Sequence, residues 1–482
     1  MYYKIRDNVL FREYNDYGYI TDNSEYGYRM LNDKRKYPGE RYVSASGALM
    51  LSLLKKVPRN IDEILDELSQ IFTGVEYEVL KKDTIEFFDI FAYEGFLVYG
   101  ETMESCNDKY FDELNDGQLK VGYMGIECMS SDINQNELLR SIHIEVADEC
   151  NERCVHCYIP NECKNSIIDP TLFYRIIEEG LNMNIIHITL SGGEPLIHKD
   201  ILDFLKKCRE VELSVNVLSN LTLLTEDIIE EMKKNPLLSV QASLYSMDAS
   251  VHDSITKLNG SFEKTRYGIL RLCDEGVPVQ ISCPIIKQNK ETCVDVLHWG
   301  WSHNIAVSIE PMIFAAYDHS GNNLENRLTL EDIDNILSMQ MQEGYANEIY
   351  KTAKYKEKLT EDDPICSICR YSFCVTTHGK VYPCEGWQNN LIGDLNCQSV
   401  KEIWETSKKI QELRNIKRER FLKCTYCKDR GYCTVCMMWN SNENLDGNPF
   451  EISEYRCKVA ALTHVKVDKT LLECNNENAD CG

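Results

Sequence analysis

Three cysteines, Cys150, Cys154 and Cys157, stand in a C-x-x-x-C-x-x-C spacing within IHIEVADECNERCVHCYIP (142–160), directly after a β-branched run that reads as a strand. Three thiolates on one tight loop hold three irons of a four-iron, four-sulfur cluster and leave the fourth without a protein ligand. An open iron points to a small molecule binding there. A zinc loop is the alternative, and its usual cue is paired C-x-x-C units. A second stretch, Ser191-Gly192-Gly193-Glu194-Pro195, follows the strand-like run IIHITL (185–190). Two glycines let backbone approach a ligand closely, because no Cβ stands in the way.

A second constellation lies near the C-terminus: Cys366, Cys369, Cys374, Cys384, Cys424, Cys427, Cys433, Cys436 and Cys457. Gly379 reads as a turn between two strands, the second of which ends at Cys384. These thiols suffice for two four-cysteine sites with one left over. Zinc satisfies the same count, so spacing alone does not decide the metal. Cys474 and Cys481 belong to a polar C-terminal tail expected to fray.

Composition narrows the function. The chain has 482 residues, 43% hydrophobic content and 12 prolines, as an ordinary folded protein of several domains does. A formal charge of −25 argues against nucleic acid as the main partner. The charged start MYYKIRDNVLF is no signal peptide, and no stretch approaches the ~18 apolar residues of a membrane span. A chain with 22 cysteines and no export signal is expected to bind metal in the cytoplasm of a cell that tolerates oxygen-sensitive clusters.

The elements that must position these residues follow from periodicity. Residues 1–103 read as short strands, three helices and a closing strand, a winged-helix-like pattern. Ser44 caps ASGALMLSLLKKV, which Pro58 stops, and NIDEILDELSQIF shows apolar residues at helical spacing. Such a unit binds DNA or captures a peptide by strand addition. Its helices are acidic or apolar, which favours the peptide. Residues 104–138, rich in Asp, Asn and Glu, read as a linker carrying Cys106 and Cys128.

Within a unit spanning 139–345, strand and helix alternate from 141 to 310. The strand candidates are IHIEVA, IIHITL, LSVNVLSN, LLSVQASL, VPVQISCP and IAVSIEP. Asp169-Pro170 and Thr225 start helices, and Gly276 ends one. Six such repeats predict parallel strands with right-handed crossovers in an incomplete barrel, an α/β partial (β/α)6 TIM-like fold. Ligands of such folds bind at the C-terminal strand ends, where both signature loops fall together with Ser219, Asn220, Ser243 and Glu310. His143, His187, Cys208, Cys273, Cys283 and Cys293 lie within elements and are expected to be packed side chains. The basic run KKIQELRNIKRERFLK (408–423) is expected to be a solvated helix face.

The three-cysteine loop and the GGEP stretch resemble the radical S-adenosylmethionine (SAM) enzymes. The order Cys366, Gly379, Cys384, Cys424, Cys427, Cys433, Cys436, Cys457 resembles the SPASM auxiliary-cluster domain, here 346–460, followed by the tail 461–482. Cys433 and Cys436 stand two residues apart where that family usually has three, and Cys369 and Cys374 compete for one ligand position. The first unit resembles the leader-peptide recognition element of ribosomal-peptide pathways.

The resemblance implies SAM and three [4Fe-4S] clusters as cofactors. It assigns the first cluster to Cys150, Cys154 and Cys157, the second to Cys366, Cys369, Cys384 and Cys436, and the third to Cys424, Cys427, Cys433 and Cys457. It places Tyr158, Gly192, Gly193, Glu194, Pro195, Ser219, Asn220, Ser243 and Glu310 around SAM, and Glu385 where related enzymes carry an acidic base. The implied partners are a ribosomal precursor peptide and a one-electron donor such as flavodoxin or ferredoxin, with neither nucleic acid nor membrane. The implied chemistry is a 5′-deoxyadenosyl radical that removes a substrate hydrogen, after which a substrate cysteine closes an α-carbon thioether (sactionine). Other crosslinks or epimerisation are open to the same machinery, and a metal-sensing winged-helix regulator with a zinc ribbon is the alternative of a different class.

Overall fold

The computed structural model describes residues 1–14, 17–22, 39–108 and 137–477. Cys128, Cys481 and most of the 104–138 bridging segment lie outside the described residues, whereas Cys106 is buried and its thiol reaches the Val98 carbonyl at 3.5 Å.

Two small antiparallel sheets and three helices build the N-terminal unit. β1 (Tyr2–Ile5) lies between β5 (Arg59–Asn60) and β6 (Leu97–Gly100), while β2 (Leu10–Glu13), β3 (Tyr17–Thr21) and β4 (Glu40–Ser44) form the second sheet. The Ser44 hydroxyl accepts from the Gly47 N–H at 3.3 Å and starts helix α1 (Ala45–Ser52), which ends well before Pro58. Helix α2 (Ile61–Ile71) buries Ile61, Ile64, Leu65 and Leu68, the spacing that its sequence predicts. Helix α3 (Tyr77–Tyr93) adds Phe88 and Phe91 to the same core.

Six parallel strands form the barrel: β7 (Ser141–Ala147), β8 (His187–Gly192), β9 (Ser214–Ser219), β10 (Leu238–Ser243), β11 (Val279–Pro284) and β12 (Ala306–Glu310), paired in sequence order. Their β-branched residues are buried on both faces, as parallel strands under crossover helices require. Asp169 caps the helix Pro170–Leu181 by accepting from Thr171 N–H at 2.7 Å. Thr225 caps Glu226–Lys233. Gly276, at φ +75°, turns the chain out of Ser261–Asp274 in a left-handed conformation that costs glycine little.

The sheet does not stop at the barrel. β13 (Ser372–Val375) pairs in parallel with β7, with Phe373 opposite Ile142 and Cys374 opposite His143. β14 (Lys380–Tyr382) and β15 (Gly393–Asp394) continue it antiparallel. The C-terminal cysteine domain thus covers the free edge of β7, the strand that carries the first cysteine loop.

The N-terminal unit packs at the opposite, N-terminal end of the strands. Leu10 and Tyr19 bury against Ile186 and Leu237, which precede β8 and β10. Each such side chain contributes roughly 1.5–3 kcal/mol of burial.

Two expectations change. The tail 461–482 is not a frayed end over its described length: Glu454–Glu477 is one helix. Val467 is buried with Met341 and Ala346, and Lys466 binds Asp334 at 2.8 Å. The 408–423 run is only partly solvated, since Ile410 and Leu413 face the core and the Arg414 guanidinium lies 4.3 Å over the Trp404 ring. Among the described residues no helix is long and apolar enough to cross a membrane.

Candidate active site

Where β7 ends, the chain turns into the loop bearing Cys150, Cys154 and Cys157. Backbone bonds hold it: Arg153 N–H donates to Thr256 at 2.8 Å, Val155 N–H to Ile255 at 3.0 Å and Cys157 N–H to Cys154 at 3.1 Å. Burial pushes the Cys150 thiol up to about 11 and the Cys154 thiol well above the ordinary range; Glu152 and the two other loop thiols add to the effect at Cys154. Those two thiols therefore hold their protons until a cationic group displaces them, as metal binding does. All three keep partial solvent access. Glu152 is 2% exposed, bonds Cys154 at 3.2 Å, and leaves one carboxylate oxygen without a partner. Lys164 is also buried, beside Cys150 and Glu152. Three accessible thiols on one short loop, too far apart for a single metal ion, fit the wider span of an iron–sulfur cluster.

The GGEP loop packs onto this one. A Cβ on Gly192, which has φ +125°, would collide with the Ala147 carbonyl; one on Gly193 would come within 2.6 Å of the Glu149 carbonyl and 2.8 Å of Cys150 Cβ. Gly193 N–H donates to Ala147 at 2.7 Å and Glu194 N–H to Glu149 at 2.9 Å. The space that the missing Cβ atoms leave is occupied by the cysteine loop itself, a different use of the two glycines from the ligand approach inferred on sequence. Pro195 opens a single 3-10 turn.

Glu194 ties the strand ends together. It is fully buried and accepts from Ser219 Oγ at 2.8 Å, Asn220 N–H at 2.7 Å and Leu196 N–H at 2.9 Å. Desolvation nevertheless pushes its carboxyl up to about 7. Asn220 Nδ2 in turn donates to Asn151 of the cysteine loop at 3.0 Å, and Asn151 donates to Thr222 at 2.7 Å. Ser219 and Asn220 are thus committed to protein partners. Ser243 bonds the Tyr245 hydroxyl, which also reaches Cys154 at 3.9 Å. Glu310 stands at the end of β12 and keeps solvent access, while the protein crowded around it pushes its carboxyl up to about 7.

Tyr158 joins the two cysteine domains. Its ring lies 5.2 Å from Phe314, and its hydroxyl, pushed up by burial, feels Glu145, Glu385, Cys157 and Cys374. Glu385 is exposed to the same space and influences His143 and Glu145. Sequence reasoning missed most of this cluster. Glu145 is 1% exposed, both of its oxygens accept from Gln388 Nε2 at 2.8 Å, and burial raises it well above the carboxylate range. Asp148 accepts from Ser166 at 2.5 Å and Thr377 at 2.6 Å. His143 shares a hydrogen bond with Ser191, so it faces the site, unlike His187, which is packed between Ser214 and Thr189. The signal was present: His143 and Glu145 are the polar residues on alternate positions of an otherwise apolar strand.

The later cysteines fall into two groups. Cys384 feels Cys436 and Cys366, and Cys369 feels Cys366. Cys424 feels Cys433, Cys457 and Cys427. Cys374 is buried and feels Glu145, Glu385 and Cys384, so it borders the first of these groups. Cys397, an exposed thiol of the same stretch, and Cys163, bonded to the Tyr317 hydroxyl, were not used in the spacing argument. Among the described residues no three Cys, His, Asp or Glu side chains converge closely enough for one metal ion.

Residues 144–300 match the Radical SAM superfamily, and residues 366–429 match SPASM, an iron-sulfur cluster-binding domain. The chain is 25% identical over 321 residues to the AdoMet-dependent heme synthase of Methanosarcina barkeri, spanning 62% of this chain and 90% of that protein. It is 23% identical over 372 residues to the antilisterial bacteriocin subtilosin biosynthesis protein AlbA of Bacillus subtilis, spanning 72% of this chain and 79% of that protein. The crystal structure of Streptococcus suis SuiB bound to its precursor peptide SuiA shares the fold, with a TM-score of 0.61 at 14% identity over 94% of this chain and 99% of that one.

Proposed function

We propose that this chain, a radical SAM enzyme with a SPASM iron–sulfur domain, matures a ribosomally made, Cys-rich precursor peptide by forming sulfur-to-α-carbon thioether crosslinks. The observation that carries the reading is the position of Tyr158, whose ring packs against Phe314 and whose hydroxyl stands within electrostatic reach of Cys157 on one side and of Glu385 and Cys374 on the other. A substrate side chain entering there meets the first cysteine loop and the auxiliary domain at once. The precursor peptide in the SuiB structure and the part of the Bacillus subtilis relative in subtilosin biosynthesis support the same reading. A metal-sensing regulator does not account for six parallel strands between the two small domains.

In this reading Cys150, Cys154 and Cys157 hold the first of three four-iron clusters. Cys366, Cys369, Cys384 and Cys436 hold the second, and Cys424, Cys427, Cys433 and Cys457 the third. Tyr158, Ser243, Glu310 and the GGEP strand end would hold SAM, with Ser219 and Asn220 shaping that end through Glu194 and Asn151, and SAM when bound would supply radical hydrogen abstraction from a substrate carbon. Glu194 keeps the ends of β8 and β9 in register around that space through its bonds to Ser219 and Asn220. Glu385 takes the proton of the substrate thiol. Glu145 is the poorer base, because both of its oxygens already accept from Gln388 and burial raises its carboxyl well above the ordinary range. The cluster-bearing chain belongs in a cytoplasm with a flavodoxin- or ferredoxin-type donor.

The N-terminal unit captures the leader. β4 pairs only with β3 among the described residues, which leaves one strand edge for an added strand. Beside it, Arg41 of β4 holds Glu94 at the end of α3 with bonds of 2.9 and 2.6 Å. Ile90 and Tyr93 of α3 are 54% and 69% exposed, an apolar rail for the leader's side chains. The reading is tested by anaerobic incubation with a short Cys-rich precursor from the neighbouring genes. The product should lose a hydrogen pair per crosslink and its cysteines should resist alkylation; intact, alkylatable cysteines would refute it.

A further inference from the structure

Two side chains reach the sulfur of Cys154, the middle cysteine of the first loop. Glu152 Oε2 lies 3.2 Å from it and the Tyr245 hydroxyl 3.9 Å. They respond differently when the thiol loses its proton. A thiol donates to a carboxylate, whereas a thiolate only accepts, so an ionised Glu152 then offers the sulfur nothing but repulsion. A phenol can donate to a thiolate. Tyr245 lies just beyond β10 and is firmly placed. Its N–H donates to His252 Nδ1 at 3.3 Å and its carbonyl accepts from Asn289 Nδ2 at 2.8 Å. Its ring meets His156 edge-on at 5.0 Å and packs with Ile255, Ile286 and Ile313, which leaves the residue 4% exposed. The other partner of the phenol oxygen is the Ser243 hydroxyl. Ser243 donating to that oxygen leaves the phenol proton for sulfur.

We propose that Tyr245 is a positioning residue that sets the reduction potential of the first cluster, through a hydrogen bond from its hydroxyl to the Cys154 sulfur. The inference deepens the function proposed above and rests on Cys150, Cys154 and Cys157 holding that cluster. Reduction by one electron puts added negative charge on the ligand sulfurs. A donor at sulfur therefore stabilises the reduced form more than the oxidised one and raises the potential. Bonds to an ionised acceptor are shorter and about twice as strong as neutral ones, so the 3.9 Å contact to the thiol is the weaker form of the interaction. Burial amplifies it, because the low local dielectric strengthens a bond that water does not share.

The test reads a potential rather than a rate. Reconstituted full-length enzyme is poised anaerobically at a series of potentials, and the reduced clusters are followed by electron paramagnetic resonance. The signal missing from a Cys150/Cys154/Cys157 triple alanine belongs to the first cluster. Tyr245→Phe, which removes one oxygen and keeps the ring, should bind the parent's ~12 iron per chain. At the parent's midpoint its first cluster should be about tenfold less reduced, a fall of about 59 mV for one electron. Difluorotyrosine at the same position, with both fluorines beside the hydroxyl, is a more acidic donor of nearly the same shape and should move the midpoint upward. The other clusters should keep their parent potentials in both variants. An unmoved first midpoint in Tyr245→Phe overturns the proposal, as do shifts of the same sign in both variants, which would mark a change of packing. If Tyr245→Phe loses iron, the fluorinated enzyme decides alone: an upward shift supports the proposal and an unmoved midpoint overturns it. A parent without the loop-dependent signal would overturn the first cluster and the inference together. A parent that shows the signal, beside variants with unmoved midpoints, would overturn the inference and leave the cluster standing.

Discussion

Arg140 donates to the Tyr42 hydroxyl at 2.9 Å, across the junction of the N-terminal unit and the barrel. Its guanidinium also lies 5.3 Å from the Tyr19 ring and 5.6 Å from the Tyr42 ring. The residue is 1% exposed. Its backbone N–H donates to Tyr371, just before β13, at 2.8 Å, and its carbonyl accepts from Ile186 N–H at 2.8 Å. One residue therefore touches all three domains. A buried cation of this kind is held by the rings and the hydroxyl together, and removing it leaves the Tyr42 hydroxyl unpaired. Arg140→Met should cost about 2–4 kcal/mol at this junction. Limited proteolysis should then release the N-terminal unit while the barrel resists; simultaneous digestion of both would show that Arg140 is not the link.

The packing of the GGEP loop on the cysteine loop makes a second prediction. Gly193→Ala must move the Asp148–Cys150 backbone, because its Cβ has nowhere else to go. Overpacking of this kind costs about 1–3 kcal/mol. The variant should lose about a third of the ~12 iron bound by the reconstituted parent, the same loss as in a Cys150/Cys154/Cys157 triple alanine. Iron content equal to the parent would mean that the two loops do not need this contact to hold the first cluster.

His187 gives a pH prediction. Burial between Ser214 and Thr189 lowers its imidazole to about 3, while the unfolded chain titrates it near its ordinary 6.5. A neutral buried histidine contributes full stability above pH ~6.5, and that contribution falls as the pH drops toward ~3, because only the unfolded state takes up the proton there. The slope is at most about 1.4 kcal/mol per pH unit. His187→Asn should flatten the acid limb of the unfolding curve between those limits. An unchanged slope would place the acid sensitivity elsewhere.

A fourth prediction concerns leader capture. Ile90→Asp, on the exposed face of α3, leaves the core untouched and should weaken precursor binding at least about tenfold. SAM cleavage without peptide should persist at the parent rate. Equal turnover of leadered and leaderless peptide by the parent enzyme would leave the N-terminal unit without the role given to it.

Much of the barrel was legible because its signals are local. Asp169-Pro170, Thr225 and Gly276 mark helix ends by short-range hydrogen bonding and backbone freedom, and the six β-branched runs between such marks became the six strands. The β13–β7 pairing was not legible, since nothing in Ser372–Val375 names a partner so far away in the chain. Arg140 reads as an ordinary charge before a strand until Tyr19 and Tyr42 fold around it. Glu145 and His143 could have been found from strand alternation, whereas Gln388 and Asp148 join them only through tertiary contact. The helix Glu454–Glu477 escaped because its buried positions are few and widely spaced among charges.

The central claim, that the enzyme removes an α-hydrogen from its substrate beside Tyr158 and Glu385 and joins sulfur to that carbon, is most directly tested by isotope transfer. Precursor peptide deuterated at the acceptor α-carbon is incubated anaerobically with reconstituted enzyme and SAM, and the 5′-deoxyadenosine formed is examined by mass spectrometry. The account predicts deuterium in the 5′-deoxyadenosine together with a peptide lighter by one hydrogen and one deuterium per bridge. Label arriving only from a β-carbon or ring position, or a peptide that keeps its crosslinks open and gains hydrogen from solvent at the α-carbon, would contradict it.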